Sequence, residues 1–180
     1  MTLAWALILP QGLYLLSIMT LFGSALVALL CLHRVPTEAR MPLPRGLVWG
    51  AAIAAVSSAV IYLLNFAGNL SPVASLIETI EAIVFEASFG QWWIARVVFL
   101  AGLIASVWVS DLAYPVLLFS GLLLISENGL GHAASDGLLS RSSMAAHVLA
   151  AATWLGGLTA LFAMIRWWPQ NRLSDDVTRL

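Results

Sequence analysis

The sequence predicts an all-α fold: a polytopic transmembrane helix bundle with about five spanning helices and one interfacial amphipathic helix. A single membrane domain covers residues 1–180. Three observations predict it. First, 61% of the residues are hydrophobic and only 9% are charged, whereas a soluble domain carries roughly 25% charged residues. So few charges cannot cover a water-soluble particle, and the apolar side chains must face lipid. Second, five runs reach the roughly 20 apolar residues that a helix needs to cross a hydrocarbon layer of about 30 Å. Third, the charges are unevenly placed. All eight basic residues are arginine, and Arg34, Arg40, Arg45, Arg166, Arg172 and Arg179 gather around two run ends. The net charge of −1 gives no basis for nucleic-acid binding.

The first run, 5–32, starts Met-Thr-Leu-Ala-Trp with no basic residue, and Leu30 precedes Cys31. A cleaved lipoprotein signal needs a basic start and a small residue before the cysteine, so this run is expected to be a retained helix. Cys31 is the only cysteine and has no intramolecular disulfide partner. The second run is 46–67. The stretch 72–89 is also apolar but carries Glu78, Glu81 and Glu86 on one broad helical face. Three carboxylates within a span are costly, and a helix lying in the interface is cheaper. Ser71-Pro72 supplies a capping side chain and a first-turn proline for it. The remaining runs are 91–110, 112–129 and 143–168, the last closed by Trp167-Trp168-Pro169. Most of the eight tryptophans lie near run ends, as in an aromatic belt at the membrane surface.

With 72–89 on the surface, the six clustered arginines fall on one side, and the excess of arginine marks it as cytoplasmic. The N-terminus and the connections 68–90 and 130–142 are then outside, and the C-terminus is cytoplasmic.

Candidate chemistry gathers on that outer side. His132 follows the fourth run, and His147 lies near the start of the fifth. A short outer loop joins these runs, so they are expected to pair antiparallel with both histidines near the outer surface. Imidazole suits copper, zinc, iron and nickel, and a thioether adds a preference for Cu(I). Met144 lies three residues before His147, on the same helical face. Glu127, inside the fourth run, is a further metal ligand or proton site; the plainer alternative is a carboxylate that hydrogen-bonds Ser126, Asn128 or Arg141. Arg96 follows Trp92 and Trp93; it can stack on those rings, snorkel to the surface, or pair with Glu86 or Glu127. Met19 and Cys31 on the first run are core residues or an inner relay for Cu(I), and Asn65 is a polar residue near the path. Gly156-Gly157 permits close helix approach. No nucleotide-binding motif is present, so any driving force is a gradient or a partner, and the chain is read as a non-enzyme.

Two strings carry a resemblance. Gly131-His132-Ala133-Ala134, a short loop, and then His147-Val-Leu-Ala-Ala-Ala-Thr-Trp154-Leu-Gly156-Gly157 resemble the CopD family of copper resistance membrane proteins, as does Gly90-Gln-Trp-Trp-Ile-Ala-Arg96. The likeness covers about the last 90 residues; the first 70 fit by hydropathy alone. It implies a multi-pass protein of the bacterial cytoplasmic (inner) membrane that handles copper, with His132 and His147 as copper ligands. It also implies Trp154 and Gly157 as packing elements, and a periplasmic CopC-like copper-binding partner. Family members usually have about eight spans, so the chain resembles their N-terminal portion, completed by missing C-terminal helices or by a homo-oligomer. Two alternatives stand beside copper transport. One is a haem-binding membrane protein, because histidine-bearing membrane bundles often hold haem. The other is a non-catalytic assembly subunit.

Overall fold

The structure, a computed structural model, describes residues 2–34, 45–70, 75–81, 85, 90–109, 113–127 and 138–167. The described chain is all-helical: α1 (Thr2–Arg34), α2 (Arg45–Leu70), α3 (Leu76–Glu81), α4 (Gly90–Val109), α5 (Ala113–Ser126) and α6 (Leu138–Trp167). Among the described residues, four helices are long and apolar enough to cross a membrane: the spans Ile8–Leu30, Val48–Gly68, Gln91–Trp108 and Leu139–Ala163. The fourth predicted run, 112–129, is the shorter apolar helix α5 of 14 residues, about 21 Å long.

Burial is inverted relative to a soluble protein. Many large apolar side chains face outward: Leu139, Ile165, Trp154 and Phe162 are 70–85% exposed. The buried set includes Ala25, Ala52, Ala55 and Ala152, and also Ser24, Ser58, Ser120 and Arg96. Lipid removes the penalty on exposed apolar groups, so helix packing is governed by close fit and small side chains. Buried hydroxyls must then find partners inside the bundle. Ser17 donates to the Leu13 carbonyl at 2.7 Å, Ser106 to Gly102 at 2.6 Å and Ser120 to Val116 at 2.6 Å.

α1 is the central helix, packed against α2, α5 and α6, and α4 lies on α5. Its inner stripe is Tyr14, Ile18, Leu21 and Ala25, spaced as one helical face. Specific contacts fix the directions. Trp49 meets Trp108 and Tyr62 meets Trp93, each at 5.9 Å between ring centroids, so α2 and α4 are antiparallel. Glu127 contacts Arg96 and Phe119 lies on Gly102, so α4 and α5 are antiparallel. α6 crosses α1 at glycine: a Cβ on Gly23 would overlap the Gly156 backbone, and one on Gly156 would overlap the Met19 carbonyl. Gly157 is looser, with Val27 Cγ2 3.8 Å from where its Cβ would be.

Three expectations change. α6 begins five residues before the predicted 143, because Leu-Leu-Ser-Arg-Ser contains no helix breaker. Trp154 points away from the bundle, 71% exposed, since the inner face of α6 is set by Ala152 and Gly156. The described part of 72–89 becomes helical at Leu76, with Ser75 as cap; 71–74 lie outside the described residues. The Glu78 N–H donates to Ser75 Oγ, and the Ser75 N–H donates to Glu78 Oε2, both at 3.2 Å. This reciprocal pair is a capping box, which Ser71 cannot form because Ala74 stands three residues on. The described residues of α3 number six, about 9 Å along the helix, and they pack on α2.

Candidate functional site

The beginnings of α1 and α4 and the ends of α2 and α5 meet at one end of the bundle, and a polar cluster forms there. Arg96 lies on α4 five residues inside the span Gln91–Trp108, about 8 Å along the helix, yet is only 4% exposed. Such a charge within an apolar span needs partners, and the fold supplies them from α1, from the end of α5 and from its own helix. Its guanidinium pairs with the Glu127 carboxylate at the end of α5. The Gln11 side chain on α1 also hydrogen-bonds Glu127. The rings of Tyr14 and Trp93 flank the guanidinium, each with its centroid 5.4 Å from Arg96 Cζ, within cation–π range. Tyr62 stacks on Trp93 at 19° and on Phe66 at 17°, continuing the aromatic wall into α2.

The predicted site residues are distributed as follows. His132 lies outside the described residues. His147 and Met144 are both exposed on α6, three residues apart, in its first half. His147 is the tenth residue of the helix Leu138–Trp167, about 14 Å from its start and deeper than a helix-end position. Glu127 is turned into the bundle, with its carboxylate engaged by Arg96 and Gln11. Glu127 and His147 therefore do not share a cluster, and among the described residues no group of three or more His, Cys, Asp or Glu side chains could hold a metal ion. Of the inner candidates, Met19 is partly buried against the core, and the Asn65 amide donates to the Ile61 carbonyl at 2.8 Å.

Pairing of Arg96 with Glu127 and stacking on Trp93 were among the sequence expectations. Gln11 and Tyr14 were missed. Their signal was the polar side chain of Gln11 within the long apolar run of α1, followed three residues later by Tyr14 on the same face.

Outward-facing apolar helices around an internal ion pair define a multi-pass integral membrane protein of the helical-bundle type. The chain belongs to the copper resistance protein D-like family, whose N-terminal domain matches residues 1–141. No curated protein and no solved structure matches the chain. The match takes in the first 70 residues, where hydropathy alone had suggested the likeness. It includes Arg96, Glu127 and His132 and stops before Met144 and His147.

Proposed function

We propose that the chain takes up copper at an outward-facing histidine site for passage across the bacterial cytoplasmic membrane. The observation that carries this reading is the match to the copper resistance protein D-like N-terminal domain. His132 and His147 supply imidazole nitrogen and Met144 supplies a thioether, a donor set suited to copper. The exposure of Met144 and His147 on α6 supports them as ligands reachable from outside the bundle. Glu127 is the fourth candidate. It can reach copper only by releasing Arg96, so its role is coupled to opening of the ion pair. A periplasmic CopC-like protein delivers the metal, and movement inward proceeds by ligand exchange past Asn65, Met19 and Cys31.

The test is copper content with a visible absorption spectrum on detergent-purified protein, wild type beside His132→Ala/His147→Ala. Wild type should retain copper and the double variant should lose it, with no Soret band in either. Equal copper in both would remove the histidines from the site. A Soret band would assign the protein to the haem-binding class, and no metal or haem in wild type would make it an assembly subunit.

A further inference from the structure

We infer that the outward face of α6 is a contact between two copies of this chain, and that it brings His147 and Met144 of each copy to one shared copper site. The inference rests on the copper reading for its metal and adds the second copy to it. His147 lies eight residues inside the span Leu139–Ala163, about 12 Å along the helix, and its side chain is exposed. Nine residues, or two and a half turns, separate it from Gly156, so the two lie on opposite faces of α6. Gly156 is the one against α1, and His147 therefore faces away from the bundle. Histidine within a span almost always faces a bundle interior or a polar cavity, because hydrocarbon offers its ring nitrogens no hydrogen bond. A protein surface over this face removes the conflict.

The face itself favours a second copy as that surface. Around His147 it carries Ser143, Ala146 and Ala150, all exposed. Further along it carries Trp154, Leu158, Phe162 and Ile165, 49–77% exposed. Small side chains let helices approach closely, as Gly23 and Gly156 do where α1 meets α6, whereas the large apolar ones suit lipid. Two copies inserted in the same direction are related by a two-fold axis along the membrane normal, the commonest symmetry of homo-oligomers. Their α6 helices then run parallel, and each His147 lies at the depth of its counterpart. Neutral imidazole donates at one nitrogen and accepts at the other, so it is complementary to itself across that axis. One copy supplies one imidazole and one thioether here, and among the described residues no group of three or more His, Cys, Asp or Glu side chains completes a site. Two copies supply two imidazoles and two thioethers, a soft donor set that favours Cu(I).

Cross-linking and copper content of the full chain test the shared site. In a Cys31→Ser background, Ala150→Cys lies one turn beyond His147 on the same face. It should form a disulfide dimer when membranes are oxidised with iodine. Ile165→Cys, among the large residues of that face, should not. Both positions are exposed, so neither change disturbs the fold. Wild type loaded with Cu(I) in lipid nanodiscs should hold about one copper for every two chains, as a donor set drawn from both copies requires. His147→Ala should lose that copper, and Met144→Leu should weaken its retention several-fold. No dimer from Ala150→Cys, or equal dimer from both cysteine positions, would overturn the pairing whatever the copper content. Copper bound at one per chain would overturn the shared site and leave the copper reading standing. Dimers that hold no copper would overturn the copper reading and the shared metal site together.

Discussion

Arg96 is held by several partners at once, and the reason is electrostatic. A guanidinium inside an apolar span loses its hydration, so the protein must replace water with a carboxylate, ring faces and hydrogen bonds. Arg96 receives Glu127, Tyr14 and Trp93, drawn from α1 and α5 as well as its own helix. Removing one member leaves the other charge buried and unpaired, which costs about 3–5 kcal/mol, whereas replacing both with apolar groups of similar volume is often close to neutral. Arg96→Met and Glu127→Leu should therefore each lower stability by about that amount. The double variant should recover most of the loss. Reversible unfolding of the detergent-solubilised protein by graded SDS measures all three. A double variant as unstable as the sum of the singles would mean that the two side chains do not act as a pair. The same variants bear on copper. If Glu127 must release Arg96 to reach the metal, Glu127→Leu lowers copper retention while Arg96→Met does not.

The helices meet through small residues, and the closest meeting is that of α1 with α6. Gly156 lies against the Met19 carbonyl and Gly23, with no space for a methyl group at either glycine. Gly156→Ala should force the two helices apart and cost about 1–3 kcal/mol, the usual penalty for overpacking. Gly50 on α2 has nothing within 4 Å of its would-be Cβ, so Gly50→Ala should stabilise by about 0.5–1 kcal/mol through helix propensity. The SDS unfolding midpoints of the two variants should move in opposite directions; a Gly156→Ala protein as stable as wild type would place the true crossing elsewhere. The sequence makes the existence of these helices legible and hides their inner faces. Runs of about 20 apolar residues announce a span whichever face packs. In a soluble helix the buried face is the apolar one, but here nearly every face is apolar, and the buried positions mix large residues such as Ile18, Leu21 and Leu123 with small ones such as Ala25, Ala52 and Ala152. Trp154, which the resemblance implied as a packing element, stands on the outer face, while Gly156-Gly157 was read correctly as a place of close approach. The start of α3 was hidden: Ser71-Pro72 offers a cap in the sequence, but the capping pair ahead of Leu76 is Ser75 with Glu78. At the site, Arg96 and its pairing with Glu127 were legible as charges in apolar runs, whereas Gln11 and Tyr14 carry no charge and their signal within α1 was correspondingly weak.

At the scale of the whole molecule, the alternation of helix directions sets where each connection emerges. α1 and α4 begin at the Glu127 end of the bundle, and α2 and α5 finish there. Arg34 and Arg45 flank the connection at the opposite end, and Arg166 lies in the last turn of α6. In the orientation we propose, the excess of arginine marks that opposite end as cytoplasmic and leaves the Glu127 end outside. The described residues of α5 number 14 and reach about 21 Å of a hydrocarbon layer of about 30 Å. Seven of the 14 residues are buried, against α1, α4 and α6, so its ends are shielded by protein where a lipid-exposed helix would have to reach water. α5 should therefore return the chain across the membrane, and α4 and α5 should act as a crossing pair. Single cysteines in a Cys31→Ser background test this with a membrane-impermeant maleimide on right-side-out spheroplasts. Ser75→Cys, before α4, and Leu139→Cys, at the start of α6, should label from outside. Gly46→Cys, at the start of α2, should label only after permeabilisation. Labelling of Ser75→Cys and Leu139→Cys from opposite sides would mean that α5 fails to cross. Labelling of Gly46→Cys alone in intact spheroplasts would invert the whole bundle and put the histidine site on the cytoplasmic side.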